Sequence, residues 1–137
     1  MSKTMQFITN EVVSQDEFFE WVLFKGKEIQ ELSSGYKQVL FMKNEAVVWL
    51  YYRGDNKDEY DSDELSFLKN KYNIIPNTSI AIDVGNKQGS EELAFNICFE
   101  ILSSFKYSVV DDSYGNFYNF SEMSLLECNL DGNWKTR

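Results

Sequence analysis

A strand–helix–strand pattern over residues 78–111 constrains the fold of this chain more than any other part of its sequence. Residues 78–85 and 107–111 are short runs rich in β-branched and small side chains, which is typical of strands. Between them, apolar residues recur at three- and four-residue steps, and this spacing predicts a helix with one apolar face. We therefore predict a βαβ-like unit that supplies much of the core, with Ile97 and Ile101 buried.

Serine residues mark the predicted starts of three helices. Ser14 stands three residues before Glu17, which is the spacing of a capping box, so the first helix is expected to begin there. Ser90 is expected to cap the helix of the βαβ-like unit, because its hydroxyl can accept a hydrogen bond from an amide of the first turn. Ser121 is expected to cap a short final helix over residues 122–127.

The remaining apolar segments predict a mainly antiparallel sheet. Residues 38–42 and 46–52 are dense in β-branched and aromatic side chains, and the short connection between them predicts an antiparallel hairpin. Residues 117–120 are expected to pair with the second strand of the βαβ-like unit, whereas residues 129–137 carry little pattern and are expected to fray. The predicted fold is a single α+β domain over residues 1–137, in which helices pack on this sheet.

The charge balance and the lack of histidine narrow the classes of function. The chain has 22 acidic and 13 basic residues, a net charge of −9, so its surface repels nucleic-acid phosphates and anionic lipid. It has no histidine, which removes the commonest general base and the commonest metal ligand. The sequence therefore predicts a protein that is not an enzyme, with no catalytic residue, no metal and no cofactor, and that binds neither nucleic acid nor membrane.

The cysteines and the first residues indicate a reducing compartment. Cys98 and Cys128 are too few for a zinc site and are expected to be free thiols. The first residues of the chain lack the apolar centre of a secretion signal, and no run approaches the length of a membrane span. A cytoplasmic location is expected.

An acidic stretch interrupts the apolar pattern between residues 54 and 64. It holds six carboxylates in eleven residues and no aliphatic side chain, so we predict an exposed acidic loop over residues 54–63. The spacing of its oxygen ligands does not fit a calcium loop. Two interpretations remain. One is a solvated loop that caps the next helix through Asp61 or Ser62, and the other is an acidic surface that recognises a partner.

The order of elements after residue 90 resembles that of a known group of proteins. Residues 90–105 form the predicted helix. Residues 107–118 continue as a strand, an Asp-Asp pair, a glycine and aromatic residues, before the short capped helix. This layout resembles small bacterial immunity proteins that neutralise the toxins of contact-dependent growth inhibition and other polymorphic toxin systems. Over residues 77–127, the resemblance implies a cytosolic α+β protein that is not an enzyme and binds one cognate toxin.

The resemblance and the acidic composition together define a candidate partner surface. Many toxin domains act on nucleic acid and are basic, so an inhibitor gains steering and specificity from acidic side chains with aromatic anchors. The expected partner is a cognate toxin domain such as a nuclease, held in a one-to-one complex, with Tyr60 and Tyr114 as anchors. The candidate partner-binding residues are Asp55, Asp58, Glu59, Tyr60, Asp61, Asp63, Asp111, Asp112 and Tyr114.

Two other classes of function fit the same composition. One is an acidic regulatory protein that mimics nucleic acid and blocks a basic groove. The other is an α+β domain that binds a small molecule in a cleft. Gene neighbourhood discriminates between the three classes, because an immunity gene lies directly downstream of a large toxin gene.

Overall fold

The computed structural model describes residues 3–24, 28–31, 37–128 and 134–136. A 3-10 turn at Lys57–Glu59 lies between the fourth strand and the second helix. The helices and strands within the described ranges, in chain order, are β1 (Lys3–Thr9), α1 (Gln15–Phe24), β2 (Glu28–Glu31), β3 (Lys37–Lys43), β4 (Ala46–Gly54), α2 (Ser62–Tyr72), β5 (Thr78–Val84), α3 (Ser90–Ser104), β6 (Ser108–Asp111), β7 (Phe117–Tyr118), α4 (Phe120–Met123), β8 (Leu126–Cys128) and β9 (Trp134–Thr136).

One antiparallel sheet organises the molecule. Its strand order is β2-β3-β4-β5-β1-β6-β7, and β8 and β9 form a separate two-stranded sheet. The predicted hairpin is confirmed, since β3 and β4 pair in antiparallel register from Gln38 opposite Tyr51 to Lys43 opposite Ala46. The predicted pairing of β7 with β6 is also confirmed. The α+β class expected from the sequence is therefore the class that forms.

The βαβ-like unit is present, but its two strands do not touch. Both β5 and β6 pair with β1 in antiparallel register, so they run parallel to each other on either side of it. Helix α3 therefore crosses over β1 to connect them. The strand nearest the start of the described chain occupies an inner position of the sheet, which the local pattern of residues 78–111 does not reveal.

The main apolar core lies on one face of the sheet. Phe7 of β1, Leu50 of β4 and Ile82 of β5 are fully buried in it. Side chains of α1, α3 and α4 belong to the same cluster. Ile97 and Ile101 of α3 are buried there, as predicted. The apolar stripe of α3 therefore closes the core over the centre of the sheet.

A second apolar cluster lies on the opposite face of the sheet. Successive strand residues point to alternate faces, so Ile8 and Val109, next to core residues in β1 and β6, contribute here. Helix α2 adds Leu68, and the segments on either side of α2 add Tyr60 and Ile74. The buried residues of this cluster come from β1, β6 and the α2 region. The second face of β3, β4 and β5 contributes none of them.

The predicted starts of α1 and α3 have different outcomes, and a tertiary contact explains the second. The capping box of α1 is confirmed, because the Glu17 amide donates to Ser14 Oγ at 3.1 Å and the Ser14 amide donates to Glu17 Oε1 at 3.2 Å. The predicted cap at Ser90 is wrong. Gly89, with φ of 88°, is the cap of α3, and Ser90 Oγ accepts from the Val47 amide at 3.0 Å. The Ser90 hydroxyl thus ties α3 to β4 rather than to its own first turn.

The predicted start of the last helix at Ser121 is also wrong. Asn119 caps α4, since its Oδ1 accepts from the Glu122 amide at 2.8 Å and its own amide donates to Glu122 Oε1 at 2.9 Å. This box places the helix two residues earlier than expected. The helix predicted over residues 122–127 ends at Met123 instead.

The end of the chain carries more order than its composition suggests. Residues 134–136 pair with residues 126–128 as β9 and β8, so the expectation that residues 129–137 fray is wrong for 134–136. Trp134 packs edge-on against Phe95, with ring centroids 5.3 Å apart, and this contact holds β9 against α3. Residues 129–133 and 137 lie outside the described residues.

Candidate functional site

Tyr60 joins the two regions that the sequence singles out, the acidic segment (residues 55–64) and the turn at 111–114. The Tyr60 hydroxyl donates to Asp111 Oδ2 at 3.2 Å. The Tyr60 side chain is only 9% exposed and belongs to the second apolar cluster. Burial, and then the charge of Asp111, raises the pKa of the phenol. The two regions therefore lie together, and Tyr60, predicted as an aromatic anchor, is buried between them.

The two aspartates of the turn serve mainly to shape it. Asp112 is buried, and its Oδ1 accepts from the amides of Tyr114 at 2.8 Å and Asn116 at 3.1 Å. Its Oδ2 accepts from Asn116 Nδ2 at 2.9 Å. Asp111 accepts from the Ser113 amide at 2.9 Å, and partial burial raises the pKa of its carboxyl. Each carboxylate therefore accepts hydrogen bonds from backbone amides of the turn and from one side chain, which is Tyr60 for Asp111 and Asn116 for Asp112.

Tyr114 is the residue that this turn presents to solvent. Its side chain is 72% exposed. Ser113 and Gly115 on either side adopt positive φ of 68° and 90°, which folds the chain back sharply at this point. Ser113 Oγ donates to the Thr4 carbonyl at 2.7 Å, and this bond places the turn beside β1. Of the two predicted aromatic anchors, Tyr114 is the one available for contact.

The carboxylates of the acidic segment are exposed, and several of them are held in place by hydrogen bonds or ion pairs. Asp55 accepts from the Lys57 ammonium at 2.7 Å, and the hydrogen bonds from Lys57 lower the pKa of that carboxyl. Glu59 pairs with Arg53. Asp61 caps α2 in a capping box with Glu64, so the predicted cap at Asp61 is confirmed.

Within the segment, two side chains face the interior while the carboxylates face solvent. Asn56 and Tyr60 are buried, and residues 57–59 form a 3-10 turn, so the picture of a simple exposed loop is corrected. The acids of residues 54–63 remain exposed. They are Asp55, Asp58, Glu59, Asp61 and Asp63.

The sequence prediction missed a patch of side chains on the part of the sheet over which no described helix packs, which we call the open sheet face. It lies opposite the main core, on β3, β4, β5 and β1, and is built from two rows of cross-strand neighbours. The first row is Leu40, Trp49, Asp83 and Thr4. The second row is Gln38, Tyr51, Ala81 and Gln6. Two aromatic residues of β4, Trp49 and Tyr51, lie two positions apart and so share this face, and that spacing is the signal by which sequence reasoning could have found it.

A shallow depression connects the open sheet face to the acidic segment. Its volume is about 840 Å³, and its lining includes Tyr51, Asp83, Arg53 and Asn56. Arg53 contacts Glu59 of the acidic segment, and the buried Asn56 amide donates to Ser79 Oγ of β5 at 3.3 Å. The depression therefore extends from aromatic side chains of β4 to Arg53 and Asn56, beside the start of the acidic segment.

Replacing Asp111 with asparagine is expected to stabilise the protein more at neutral pH than at acidic pH. Partial burial raises the carboxyl pKa above its unfolded value, so the folded state binds more protons between the two pKa values. The contribution of Asp111 is therefore most favourable below the unfolded pKa and falls as pH rises through the folded pKa. Asparagine keeps an acceptor for the Ser113 amide and has no charge to desolvate.

The measurement is the difference in Tm between the Asp111→Asn variant and wild type. This difference should be larger at about pH 7 than at about pH 4. Equal differences at the two pH values would show that desolvation of the Asp111 carboxylate has no effect on folding.

Three further observations concern metal binding, thiol chemistry and membrane insertion. Among the described residues, no cluster of three or more Cys, Asp or Glu side chains is arranged to hold a metal ion. Burial raises the pKa of the Cys98 thiol to about 12, so it is protonated at neutral pH. No helix in the described ranges has the length and apolar character needed to cross a bilayer. In comparisons with known proteins, no protein-family model, no curated protein and no solved structure matches this chain.

Proposed function

We propose that this chain is an immunity protein that binds a cognate, basic bacterial toxin domain such as a nuclease and neutralises it in the cytoplasm. The observation that carries the proposal is the acidic segment, in which Asp55, Asp58, Glu59, Asp61 and Asp63 are exposed on an ordered backbone. With a net charge of −9, the whole molecule attracts a basic protein and repels nucleic acid. The layout of residues 77–127, which resembles small immunity proteins, supports the same function.

The proposed mechanism is occlusion of the toxin surface in a one-to-one complex. A nuclease domain uses basic side chains to hold phosphates, and carboxylates at fixed positions compete for those side chains. Asp55, Glu59 and Asp61 are already held by Lys57, Arg53 and the α2 amides. Ordering before contact reduces the conformational entropy lost on binding.

The first test asks whether the partner exists where the proposal requires it. The C-terminal domain of the large protein encoded directly upstream would be co-expressed with this chain in bacteria and purified through a tag on one partner. We expect a stoichiometric complex and survival of cells that the domain alone kills. If the domain is toxic and this chain neither co-purifies with it nor protects the cells, the proposed function is wrong.

Neutralising the acidic segment is expected to slow association with that toxin domain. The variant carries Asp55→Asn, Asp58→Asn, Glu59→Gln, Asp61→Asn and Asp63→Asn, and asparagine at position 61 preserves the cap of α2. At low salt, the association rate should fall by about 10-fold or more, and its dependence on salt should flatten, because steering by exposed charge is screened by ions. Stopped-flow mixing at two salt concentrations measures both quantities.

A matched control separates position from net charge. It carries five neutralised acids that are exposed elsewhere, and these are Glu11, Asp16, Glu20, Glu45 and Glu92. Both variants lose the same total charge, so the variant in the acidic segment should associate more slowly than the control. Association at the wild-type rate at low salt, with full protection of cells, would mean that the acidic segment is only solvated surface.

A further inference from the structure

Resting on the proposed function, we infer that the open sheet face is the surface that contacts the toxin domain, with Trp49 and Tyr51 as its central anchors. Trp49 and Tyr51 lie two residues apart on β4 and therefore point to the same side of the sheet. Each has strand neighbours on both sides, Leu40 and Asp83 for Trp49 in one row and Gln38 and Ala81 for Tyr51 in the next. The anchors thus occupy the middle of the face and not its edge.

The composition of this face is that of a binding surface. Tryptophan, tyrosine and arginine are the residue types most enriched among the side chains that dominate binding energy. Trp49 and Tyr51 are half-buried, and Arg53 on the same strand is exposed. Over β1 and β6, by contrast, Leu68 of α2 covers this side of the sheet and is fully buried. No described helix covers Trp49 and Tyr51 in this way, although Gln38 and Ala81 beside Tyr51 are buried.

Charge identifies a basic protein as the occupant of the open sheet face. Asp83 lies in the row of Trp49, and its Oδ1 accepts from Thr4 Oγ1 at 2.6 Å, so one carboxylate is fixed within the patch. The bordering acidic segment adds exposed carboxylates, whereas the cations Arg53 and Lys57 already pair with acids of that segment. The local field is therefore negative, and a cation on the partner would be attracted towards Asp83.

The same field argues against a second copy of this chain as the occupant. Each copy carries a net charge of −9, and a symmetric contact through this face would bring Asp83 and the acidic segment of both copies together. Like charges placed opposite each other in an interface cost binding energy. A basic toxin domain pairs the same groups favourably.

The test is the affinity of purified variants for the upstream-encoded toxin domain, measured by calorimetry. Trp49→Ala and Tyr51→Ala should each raise Kd by about 30-fold or more, mainly through faster dissociation. The control is Phe67→Ala, which removes a 43% exposed aromatic side chain of α2. The Kd of this variant should stay within about 3-fold of wild type, because Phe67 lies outside the open sheet face. Circular dichroism establishes that each variant is folded.

A second measurement needs no substitution and therefore does not depend on variants that fold. Hydroxyl-radical footprinting of the wild-type chain, alone and with the toxin domain, reports the solvent access of individual side chains. Met42, which is 59% exposed on the same side of β3 as Leu40, and Trp49 should become protected, whereas Phe67 should not. Absence of binding by wild type would overturn the proposed function and this inference together. Binding that leaves Met42 and Trp49 unprotected, with both alanine variants at wild-type affinity, would overturn the docking surface alone.

Discussion

Replacing Tyr60 with alanine is expected to lower the free energy of unfolding by about 3–5 kcal/mol, the range for deleting a large buried aromatic side chain. Tyr60 packs in the second apolar cluster and donates a hydrogen bond to Asp111. Its removal leaves a cavity between α2 and the sheet, and it leaves Asp111 without that donor. Urea denaturation followed by circular dichroism measures the change.

Two variants separate the parts of this effect. Tyr60→Phe keeps the ring and removes the hydroxyl, so it should cost about 0.5–1.5 kcal/mol, as for one hydrogen bond. Tyr114→Ala removes the exposed tyrosine of the turn and should stay within about 0.5 kcal/mol of wild type. If Tyr60→Ala cost no more than Tyr114→Ala, the Tyr60 side chain would have to lie on the surface and not in the second apolar cluster.

Replacing Ile101 with alanine is expected to cost about 2–5 kcal/mol, because this side chain is fully buried where α3 packs on the sheet. Helix α3 is connected to the sheet at both ends, through β5 and β6, so it cannot easily shift to fill the cavity that the shorter side chain leaves. The same denaturation experiment applies. Asn96→Ala, on the exposed face of the same helix, is the control and should change stability by less than about 0.5 kcal/mol. If Ile101→Ala also changed stability by less than about 0.5 kcal/mol, then Ile101 would not lie on the face of α3 that packs against the core.

Local periodicity predicted most of the fold, because the elements that carry it are set by their own side chains. The apolar steps of α3 and the hairpin of β3 and β4 are local features, and both form as expected. The insertion of β1 between β5 and β6 depends instead on pairing between distant segments. Ser90 fails as a predicted cap for the same reason, since a strand amide at Val47 competes for its hydroxyl.

In the candidate site, the sequence could predict which side chains are exposed only for the charged residues. Carboxylates such as Asp58 and Asp63 stay in water because burying an unpaired charge is costly, and composition alone indicates this. The burial of Tyr60 depends on where α2 and the turn at 111–114 meet, which is a tertiary property. The run of apolar and aromatic residues in β4 predicts a strand with two apolar faces. It does not tell which face a helix covers, so it does not single out Trp49.

The position of β1 has a consequence for the order in which the molecule can assemble. Gln6 pairs with Ala81 on one side and with Asp111 on the other, so this early strand is completed only by segments made much later. Contacts between residues so far apart in sequence slow folding, because a long loop must close before they form. During synthesis, the β3–β4 hairpin can form as soon as it leaves the ribosome, whereas β1 must wait for β5 and then β6. In a nascent chain, β1 therefore gains its second neighbouring strand only after β6 has been translated.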